Sequence, residues 1–413
     1  MRVAFLVDHF PVLSETFILH QITGTIERGH DVDIYPNKVG NLDKMHSEVE
    51  SYHLLESTFY PQVPANYFGR GVDALKIIFA NSPSKLGVLL QCLNFFKYGR
   101  KAASLKLLYS ASRFMEKPTY DIIHCQLGYI GLQGLLLRDI GALKGKLIVS
   151  FRGADLSLYL RMFGERLYER LFARADLFLP VCEDMKRRLI ELGCDEKKVV
   201  VHRSGLDFES FVFTGRRRES SKERVRLVTV ARLVEKKGVE YGIKAVVHLA
   251  KSHPRLEYSI VGDGPLREDL QRLLIELDLE SAVKLLGWKE KQEIIEILKD
   301  ADILVAPSVT SRDGDREGIP NVLKEAMAMG LPVVSTQHSG IPELVQDGVS
   351  GFLVPERDVD ALAEKLEYLI AHPERWPEMG RAGRAYIEEC YDINKLNDRL
   401  VEIYQQLISP QLP

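Results

Sequence analysis

The sequence predicts an α/β protein built from two doubly wound, open parallel sheets. Short apolar runs alternate with helix-length segments along the chain, and one polar, arginine-rich stretch near the middle interrupts this alternation. At 413 residues the chain is too long for one compact core. Hydrophobic residues make up 46% of the sequence and charged residues 27%, so ordinary packed globular domains are expected.

The first half begins with a strand, a helix and a parallel strand. Residues 3–7 are continuously apolar, residues 15–28 have helical spacing, and residues 32–35 are apolar again. We expect a Rossmann-like domain over residues 1–210. Further strands of this domain are predicted at 122–124, 147–151, 177–181 and 199–202.

The alternation breaks at 205–221 and restarts with a strand at 226–230, which indicates a second Rossmann-like domain over 222–381. A helical pattern over 382–407 predicts that the C-terminal part, 382–413, crosses back to the first domain. Ligands of open parallel sheets bind at the carboxyl ends of the strands, so we expect the site in a cleft between the domains. Further strands are predicted at 258–261, 283–285, 303–306, 332–335 and 351–354.

Composition argues against several classes of function. The chain has 55 basic and 58 acidic residues, a net charge of −3, so we expect no nucleic acid partner. The five cysteines are widely spaced without a CxxC pair, which disfavours a disulfide framework or a zinc site and favours the reducing cytoplasm. No stretch approaches the ~20 apolar residues of a spanning helix, so we expect any membrane contact to be peripheral.

Residues 315–326, Asp-Arg-Glu-Gly-Ile-Pro-Asn-Val-Leu-Lys-Glu-Ala, follow a predicted strand and open a helix. Pro320 suits the first helical position, where its missing N–H costs nothing. The next three N–H groups, on Asn321, Val322 and Leu323, then lack intrahelical partners. Together with the positive end of the helix dipole, these donors predict a site for a diphosphate, as in a nucleotide sugar.

Two glutamates flank this predicted helix start. Glu325, one turn into the helix, is placed to accept hydrogen bonds from a ribose diol, and Glu317 is placed to reach sugar hydroxyls. Alone, such a pair is more typical of a solvated helix face. The intervening Gly318 and Ile319 and the apolar residues after Glu325 favour a binding site here.

Two loops of the second half add candidate donor-binding residues. Arg232 and Lys237 follow the strand at 226–230, at the predicted edge of the cleft, where they could clamp phosphates. Gly262 and Gly264 follow the next strand and allow the backbone to approach a base or phosphate. A bland basic loop and a plain tight turn remain the alternatives.

Two acidic pairs have a spacing seen in metal sites. Asp313 and Asp315 lie before the helix, and Asp31 and Asp33 lie at the start of a strand. The predicted helix terminus and the basic loop already neutralise a diphosphate. We therefore expect no metal ligands and no metal cofactor, with the nucleoside diphosphate sugar acting as co-substrate.

Several motifs together resemble retaining glycosyltransferase family 4, which has the GT-B fold, and specifically its colanic acid and exopolysaccharide branch. The resemblance implies that Arg232 and Lys237 hold the donor diphosphate, Glu325 the ribose and Glu317 the transferred sugar. It further implies retention at the anomeric carbon without a protein nucleophile, and a glycan or polyprenyl-linked acceptor. The motifs are Phe-Pro-Val-Leu-Ser-Glu-Thr-Phe at 10–17, Ala-Arg-Leu-Val-Glu-Lys-Lys-Gly at 231–238, Ser-Val-Thr at 308–310, Asp-Gly-Asp at 313–315 and Ser-Thr-Gln-His-Ser-Gly-Ile-Pro-Glu-Leu-Val at 335–345.

This chain departs from the family pattern at two positions. Gln126 stands where members usually carry a histidine, with His124 two residues upstream on the same strand face as a possible substitute or a buried structural histidine. Arg152 replaces the histidine of a His-Gly-x-Asp motif, which would alter specificity or abolish activity. The residues that the resemblance places on the acceptor side of the cleft are Ser14, Glu15, Thr16, Arg152 and Asp155.

Residues 66–118 carry nine basic and two acidic residues. Leucines at helical spacing interleave with them, which predicts amphipathic helices suited to an anionic membrane surface at the inner face of the cell membrane. A solvated helical face packed on the first sheet is the equal alternative.

The sequence leaves two other functions open. A nucleotide-sugar epimerase has the same two-domain fold and needs no acceptor. A catalytically silent partner subunit would bind the donor only. The departures from the family pattern at Gln126 and Arg152 favour this alternative.

Overall fold

A computed structural model describes residues 1–13, 15–64, 66–80, 85–115, 119–215 and 224–409. The chain forms two parallel sheets flanked by helices, which confirms the predicted α/β architecture. The first sheet has the order β2-β1-β3-β4-β5. Its strands are β1 (Arg2–Phe10), β2 (Asp31–Val39), β3 (Ile122–Cys125), β4 (Lys146–Phe151) and β5 (Leu177–Pro180).

Eleven α-helices accompany the first sheet in the described part of the chain, and α2 to α7 lie in the long connection between β2 and β3. They are α1 (Thr16–Glu27), α2 (Ser47–Ser51), α3 (Tyr67–Ala80), α4 (Leu86–Cys92), α5 (Phe95–Tyr98), α6 (Arg100–Ala103), α7 (Lys106–Met115), α8 (Gly128–Asp139), α9 (Leu158–Phe163), α10 (Glu169–Arg174) and α11 (Glu183–Glu191).

The second sheet has the order β11-β10-β9-β6-β7-β8. Its strands are β6 (Val225–Val230), β7 (Leu256–Val261), β8 (Val283–Gly287), β9 (Ile303–Ala306), β10 (Val333–Thr336) and β11 (Gly351–Val354). The helices that follow are α12 (Val239–Ser252), α13 (Arg267–Glu276), α14 (Lys291–Asp300), α15 (Asn321–Ala328), α16 (Val359–Ala371), α17 (Trp376–Cys390) and α18 (Ile393–Ile408).

The continuous apolar run of β1 results from burial on both faces of the sheet. Val3 and Phe5 belong to one hydrophobic cluster, whereas Ala4 and Leu6 belong to another. A strand covered by helices on both sides has no solvent face and therefore no polar alternation. β2 lies at the sheet edge, where Pro36 is tolerated because its missing N–H breaks no bond of an inner ladder.

The predicted strand at 199–202 is wrong. Val199 forms an isolated bridge with Phe178 of β5, and the contacts to this sheet are hydrogen bonds from Val200 N to Phe178 O and from His202 N to Pro180 O. The segment leaves the sheet toward the second half, so its pairing does not continue into a ladder. The side chain of His202 bonds the Leu396 carbonyl at 2.9 Å.

The predicted helix over 382–407 is two helices, α17 and α18. Asp392 lies between them and accepts hydrogen bonds from the N–H groups of Asn394 and Lys395, which caps α18. α17 packs against α15 of the second half, whereas α18 packs against α1 of the first. Both passages of the chain between the halves lie side by side, because Leu206 N donates to Tyr391 O at 2.8 Å.

Close packing of α1 and α18 depends on Gly24. A Cβ atom at this position would lie 2.0 Å from the Asn397 side chain. The Asn397 amide donates to the His20 carbonyl at 3.1 Å, and Arg28 pairs with Asp398 at 2.7 Å. α18 is thus held on the first half by polar contacts as well as by its buried apolar residues.

We expect Tyr404→Phe to lower the free energy of unfolding by about 1–3 kcal/mol, because buried His124 Nδ1 keeps only a long contact with Gln126 Nε2, at 3.5 Å. The Tyr404 hydroxyl lies 2.6 Å from His124 Nδ1, and both side chains are fully buried. Urea denaturation measures the change. Tyr67→Phe, at an exposed tyrosine of α3, is the matched control and should stay within about 0.5 kcal/mol of the wild type. Equal midpoints for Tyr404→Phe and wild type would contradict the expectation.

Candidate functional site

A cleft of about 700 Å³ lies between the two halves. Its walls come from residues directly after the carboxyl ends of β4, β5, β6, β7 and β8, which is where open parallel sheets bind ligands. Ten of the residues singled out from the sequence line it: Arg152, Arg232, Lys237, Gly262, Glu317, Gly318, Ile319, Asn321, Val322 and Glu325.

The start of α15 differs by one position from the prediction. Pro320 is the N-cap residue, with extended backbone, and Asn321 is the first helical residue. Leu323 N donates to Pro320 O at 3.2 Å, so its amide is not free, and its side chain belongs to the core. Asn321 and Val322, in the first turn, line the cleft.

Glu317 forms the centre of an ionic cluster on this side of the cleft. Its Oε2 lies 2.9 Å from Lys237 Nζ and its Oε1 lies 3.5 Å from Lys236 Nζ. Burial favours the neutral acid, but the two ammonium groups outweigh it and lower the pKa of Glu317. Lys236, which sequence reasoning missed, also pairs with Asp315 at 2.9 Å.

A buried histidine fixes the backbone of Glu317. The Glu317 N–H donates to His338 Nε2 at 3.1 Å, so the ring proton lies on Nδ1, which donates to Glu356 at 2.6 Å. Glu356 also accepts from the Thr310 amide at 2.8 Å. Burial lowers the pKa of His338 against the effect of Glu356, which keeps Nε2 available as an acceptor.

Glu325 lies where the cleft meets a second cavity of about 660 Å³. Burial raises the pKa of the Glu325 carboxyl, and nearby Lys324 and Lys291 oppose that shift. Thr16 lines the second cavity instead of the cleft. The residues shared by the two cavities are Phe17, Trp288, Lys289, Ile294, Asn321 and Glu325.

Both predicted glycines have backbone that disfavours a side chain. Gly262 has φ 133° and lines the cleft, where a Cβ would lie 1.9 Å from the Ala231 carbonyl oxygen. Gly264 has φ 158° and does not line the cleft; a Cβ there would crowd the Leu233 backbone. Gly264 therefore allows one loop to pack against its neighbour, and its role as a donor contact stays a prediction.

Arg152 forms the first-half wall of the cleft. Its Nη2 donates to Gln126 Oε1 at 2.5 Å and to Gln21 Oε1 at 3.2 Å, and its Nη1 donates to Ser204 Oγ at 3.1 Å. The guanidinium carbon lies 4.3 Å from the centre of the Phe17 ring. Burial lowers the pKa of Arg152 to about 10. The group stays charged at neutral pH and is held in one orientation.

The structure removes Gln126 and His124 from the predicted catalytic set. Both are fully buried and neither lines the cleft. His124 lies in β3, an inner strand covered on both faces, and Gln126 directly follows it and donates its N–H to Leu6 O of β1. His124 is hydrogen-bonded to Tyr404 and, at 2.8 Å, to Ser150. Gln126 contributes indirectly, as an acceptor for Arg152.

Two further acceptor-side candidates, Asp155 and Glu15, do not line the cleft. Asp155 is buried and accepts from the Gly128 and Arg152 amides at 2.8 and 3.0 Å, which fixes the loop after β4; burial raises its pKa to about 6. Glu15 borders a separate small cavity, and burial raises its pKa. Ser14 lies outside the described residues.

Sequence reasoning missed a buried lysine in the cleft. Lys324 is only 1% exposed, and its Nζ donates to the Ser204 carbonyl at 2.8 Å and lies 5.7 Å from the Tyr391 ring centre. Burial lowers its pKa to about 8. In a sequence, a lysine next to a glutamate is typical of a solvent-exposed helix face. No local pattern therefore indicates that Lys324 is buried. Other missed lining residues include Phe17, Ser204, Asp263, Trp288 and Lys289.

In the part of the chain that the structure describes, no group of three or more His, Cys, Asp or Glu side chains is placed to hold a metal ion. No helix among the same residues has the length and apolar character needed to cross a bilayer.

Comparison of the fold gives a close structural match. A crystal structure of Alr3699/HepE from Anabaena in complex with UDP superposes with a TM-score of 0.71 at 19% identity, covering 98% of this chain and all of that one. The two-sheet arrangement is therefore the GT-B fold predicted from the motifs.

Comparison of the sequence gives family matches on both halves. Residues 14–210 match the glycosyltransferase family 4 model and residues 214–386 match the model of glycosyl transferases group 1. The amylovoran biosynthesis glycosyltransferase AmsK of Erwinia amylovora is 37% identical over 411 residues, covering 98% of this chain and all of that protein.

Two further relatives extend this picture. The putative colanic acid biosynthesis glycosyltransferase WcaL of Salmonella typhimurium is 35% identical over 415 residues, covering 98% of this chain and all of that protein. A UDP-Gal:α-D-GlcNAc-diphosphoundecaprenol α-1,3-galactosyltransferase of Escherichia coli is 25% identical, covering 74% of this chain and 80% of that protein. The chain belongs to glycosyltransferase family 4, in the branch that contains the amylovoran and colanic acid glycosyltransferases.

Proposed function

We propose that this glycosyltransferase moves a sugar, with retention, from a nucleoside diphosphate sugar to a glycan or lipid-linked oligosaccharide during synthesis of a cell-surface polysaccharide. The observation that carries this proposal is the geometry at the start of α15. There Glu317, paired with Lys237, and Glu325 lie at one cleft wall with Arg232 nearby. The relatives support the acceptor class, because one is named for amylovoran biosynthesis and another for galactosyl transfer involving GlcNAc-diphosphoundecaprenol.

The donor diphosphate binds between the first turn of α15 and the basic loop after β6. The amides of Asn321 and Val322 and the helix dipole favour its negative charge. Arg232 has an exposed side chain that reaches the same cleft, and Lys237 is already held there by Glu317. Lysine and arginine supply the neutralising charge, so we propose that donor binding needs no metal ion.

The transferred sugar lies against Glu317, and the ribose against Glu325. Transfer breaks the bond between the anomeric carbon and the phosphate oxygen, and the acceptor oxygen bonds to that carbon on the same face. The acceptor proton passes to the leaving phosphate. Glu317 is occupied by two lysines, so it is suited to accept hydrogen bonds from sugar hydroxyls, and catalysis comes from positioning and from stabilising the leaving group.

The relatives named above are all transferases, and they lend no support to an epimerase. Intact donor binding without turnover on any acceptor would favour the silent-subunit alternative. An isomerised nucleotide sugar with no released nucleotide would favour an epimerase.

The exposed surface of α3 to α7 supports a peripheral contact with an anionic membrane. Not all of the leucines predicted for this surface are exposed, because Leu89, Leu107 and Leu108 are buried in the core of the first half. Aromatic side chains replace them: Phe68, Phe79 and Phe96 are each more than four-fifths exposed, at 85%, 83% and 91%. Lys76, Lys97, Arg100, Lys101 and Lys106 are exposed beside them, and Lys117 lies outside the described residues. We propose that this surface brings the cytoplasmic enzyme to the inner face of the cell membrane.

We expect Arg232→Ala, Glu317→Ala and Glu325→Ala each to reduce turnover or donor affinity roughly 10²-fold, because each removes a contact to the donor. A thermal-shift screen of nucleoside diphosphates and their sugar conjugates first identifies the donor, since only ligands of the folded state raise the midpoint. Turnover in EDTA tests metal independence. Arg166→Ala changes an exposed arginine of the first half and should behave as wild type. Full activity of Glu317→Ala would refute the assigned role.

We expect His338→Ala to lower turnover about 10- to 100-fold while the protein remains folded, because the Glu317 backbone loses its acceptor and the carboxylate shifts. Steady-state kinetics on the donor found above measure the loss. Gln337→Ala, at the exposed neighbouring position, is the control. A His338→Ala enzyme with wild-type turnover would show that His338 does not position Glu317.

We expect the enzyme to sediment with vesicles that contain anionic phosphatidylglycerol, and sedimentation to weaken as salt rises. The triple variant Arg100→Gln, Lys101→Gln, Lys106→Gln should bind less, because each lost cation near the surface removes about 1 kcal/mol. The control neutralises three exposed bases elsewhere: Arg166→Gln, Lys197→Gln and Lys251→Gln. Equal binding to neutral and anionic vesicles would rule out this surface.

A further inference from the structure

Two cations from opposite halves meet at Ser204 in the wall of the cleft. Arg152, after β4, donates through Nη1 to Ser204 Oγ at 3.1 Å, and Lys324, in α15, donates through Nζ to Ser204 O at 2.8 Å. Both cations line the cleft. Ser204 belongs to the segment through which the chain passes from the first half to the second.

Asp155 and Glu15 favour the charged form of Arg152, and Glu325 favours that of Lys324. None of these carboxylates lies within ion-pair distance of its cation in the part of the chain that the structure describes. The side-chain hydrogen bonds of Arg152 go to the neutral oxygens of Gln126, Gln21 and Ser204, and Lys324 faces the Tyr391 ring. Lys237, by contrast, is paired with Glu317. Burial disfavours the charged form of both and lowers the pKa of Arg152 to about 10 and that of Lys324 to about 8.

Holding the half-buried Arg152 and the buried Lys324 in their charged forms without a carboxylate at ion-pair distance is costly, and a ligand anion would reduce that cost. We propose that Arg152 and Lys324 form an anion subsite, which binds an anionic oxygen group of the nucleotide sugar. This group is either the diphosphate or a carboxylate on the transferred sugar. The inference rests on the proposed function and names a substrate feature that the Glu317 cluster does not select.

The position of Arg152 matches the sugar end of the donor. A Cβ on Gly318 would lie 2.7 Å from the Arg152 carbonyl oxygen, so Arg152 packs directly against the residue after Glu317. A guanidinium presents its N–H groups as a planar fork that fits carboxylate and phosphate oxygens. Its orientation is set by Gln126 and by the Phe17 ring.

The two departures from the family pattern are one structural feature. Gln126 Oε1 accepts from Arg152 Nη2 at 2.5 Å, and Gln126 Nε2 donates to Gln21 Oε1 at 3.0 Å. A glutamine provides an acceptor for the guanidinium and a donor for its neighbour at once. Gln126 is therefore a positioning residue for a cation that this chain carries in place of a histidine.

The test is calorimetric titration of the full chain and its variants. The probes are uridine and guanosine diphosphates, UDP-glucose and GDP-mannose as neutral conjugates, and UDP-glucuronate as a carboxylate conjugate. The variants Arg152→Gln and Lys324→Met remove each charge at similar size, and Arg152→Lys keeps the charge without the fork. Thermal unfolding without ligand establishes that each variant is folded.

We expect Arg152→Gln and Lys324→Met to weaken binding about tenfold or more, with Arg152→Lys in between. If the subsite holds the diphosphate, the loss occurs with the free nucleotide. If it holds a sugar carboxylate, the loss is confined to UDP-glucuronate. Affinities within about twofold of wild type for every probe, in either folded charge-removal variant, would overturn the subsite.

Arg232→Ala separates this inference from the proposed function. If Arg232→Ala loses nucleotide binding while both charge-removal variants keep it for every probe, the donor site stands and only the anion subsite fails. If the wild type binds none of the probes, the proposed function fails, and the subsite fails with it.

Discussion

The ionised carboxylate of Glu317 is the group to which the geometry of the cleft is adapted. It is 11% exposed, so it remains charged only because Lys236 and Lys237 lie beside it. Pairing in turn fixes Lys237, a residue that would otherwise sample many rotamers, at the start of α15. The backbone of the same segment is fixed by His338, whose neutral ring accepts a hydrogen bond from the Glu317 N–H. The charge and the backbone of one residue are thus held by separate contacts.

Charge along the cleft is not balanced by the protein alone. Among its described lining residues, five are basic and three are acidic, and one acid, Glu317, already shares its charge with Lys237 and Lys236. A bound diphosphate would supply the missing negative charge near the positive end of the helix dipole and the cations of the cleft. Because Lys237, Arg152 and Lys324 are already held by hydrogen bonds, little reorganisation of these cations is needed when charge develops on the leaving phosphate.

The sequence could predict what is local. Inner strands read as continuous apolar runs, and residues 317–325 are close along the chain, so the helix start and its two glutamates were found together. His124 and Gln126 show the limit. Strand alternation correctly placed them on one face, but β3 is covered on both faces, and the partner of His124 is Tyr404, 280 residues away. The hydrophobic periodicity of the sequence cannot predict a contact between residues so far apart along the chain. The break between α17 and α18 was missed because Asp392 interrupts a helical pattern without disturbing its apolar spacing.

The missed lysine shows why a site can exceed what local patterns reveal. Lys324 follows the helix period onto a face that packs against the passage between the halves, and only the fold makes that face a cleft wall. There it meets Arg152 across Ser204, close to where Leu206 bonds Tyr391. A ligand anion shared by the two cations would link residues of both halves beside the two chain passages. Binding of the donor and the relative placement of the halves would then depend on the same few contacts.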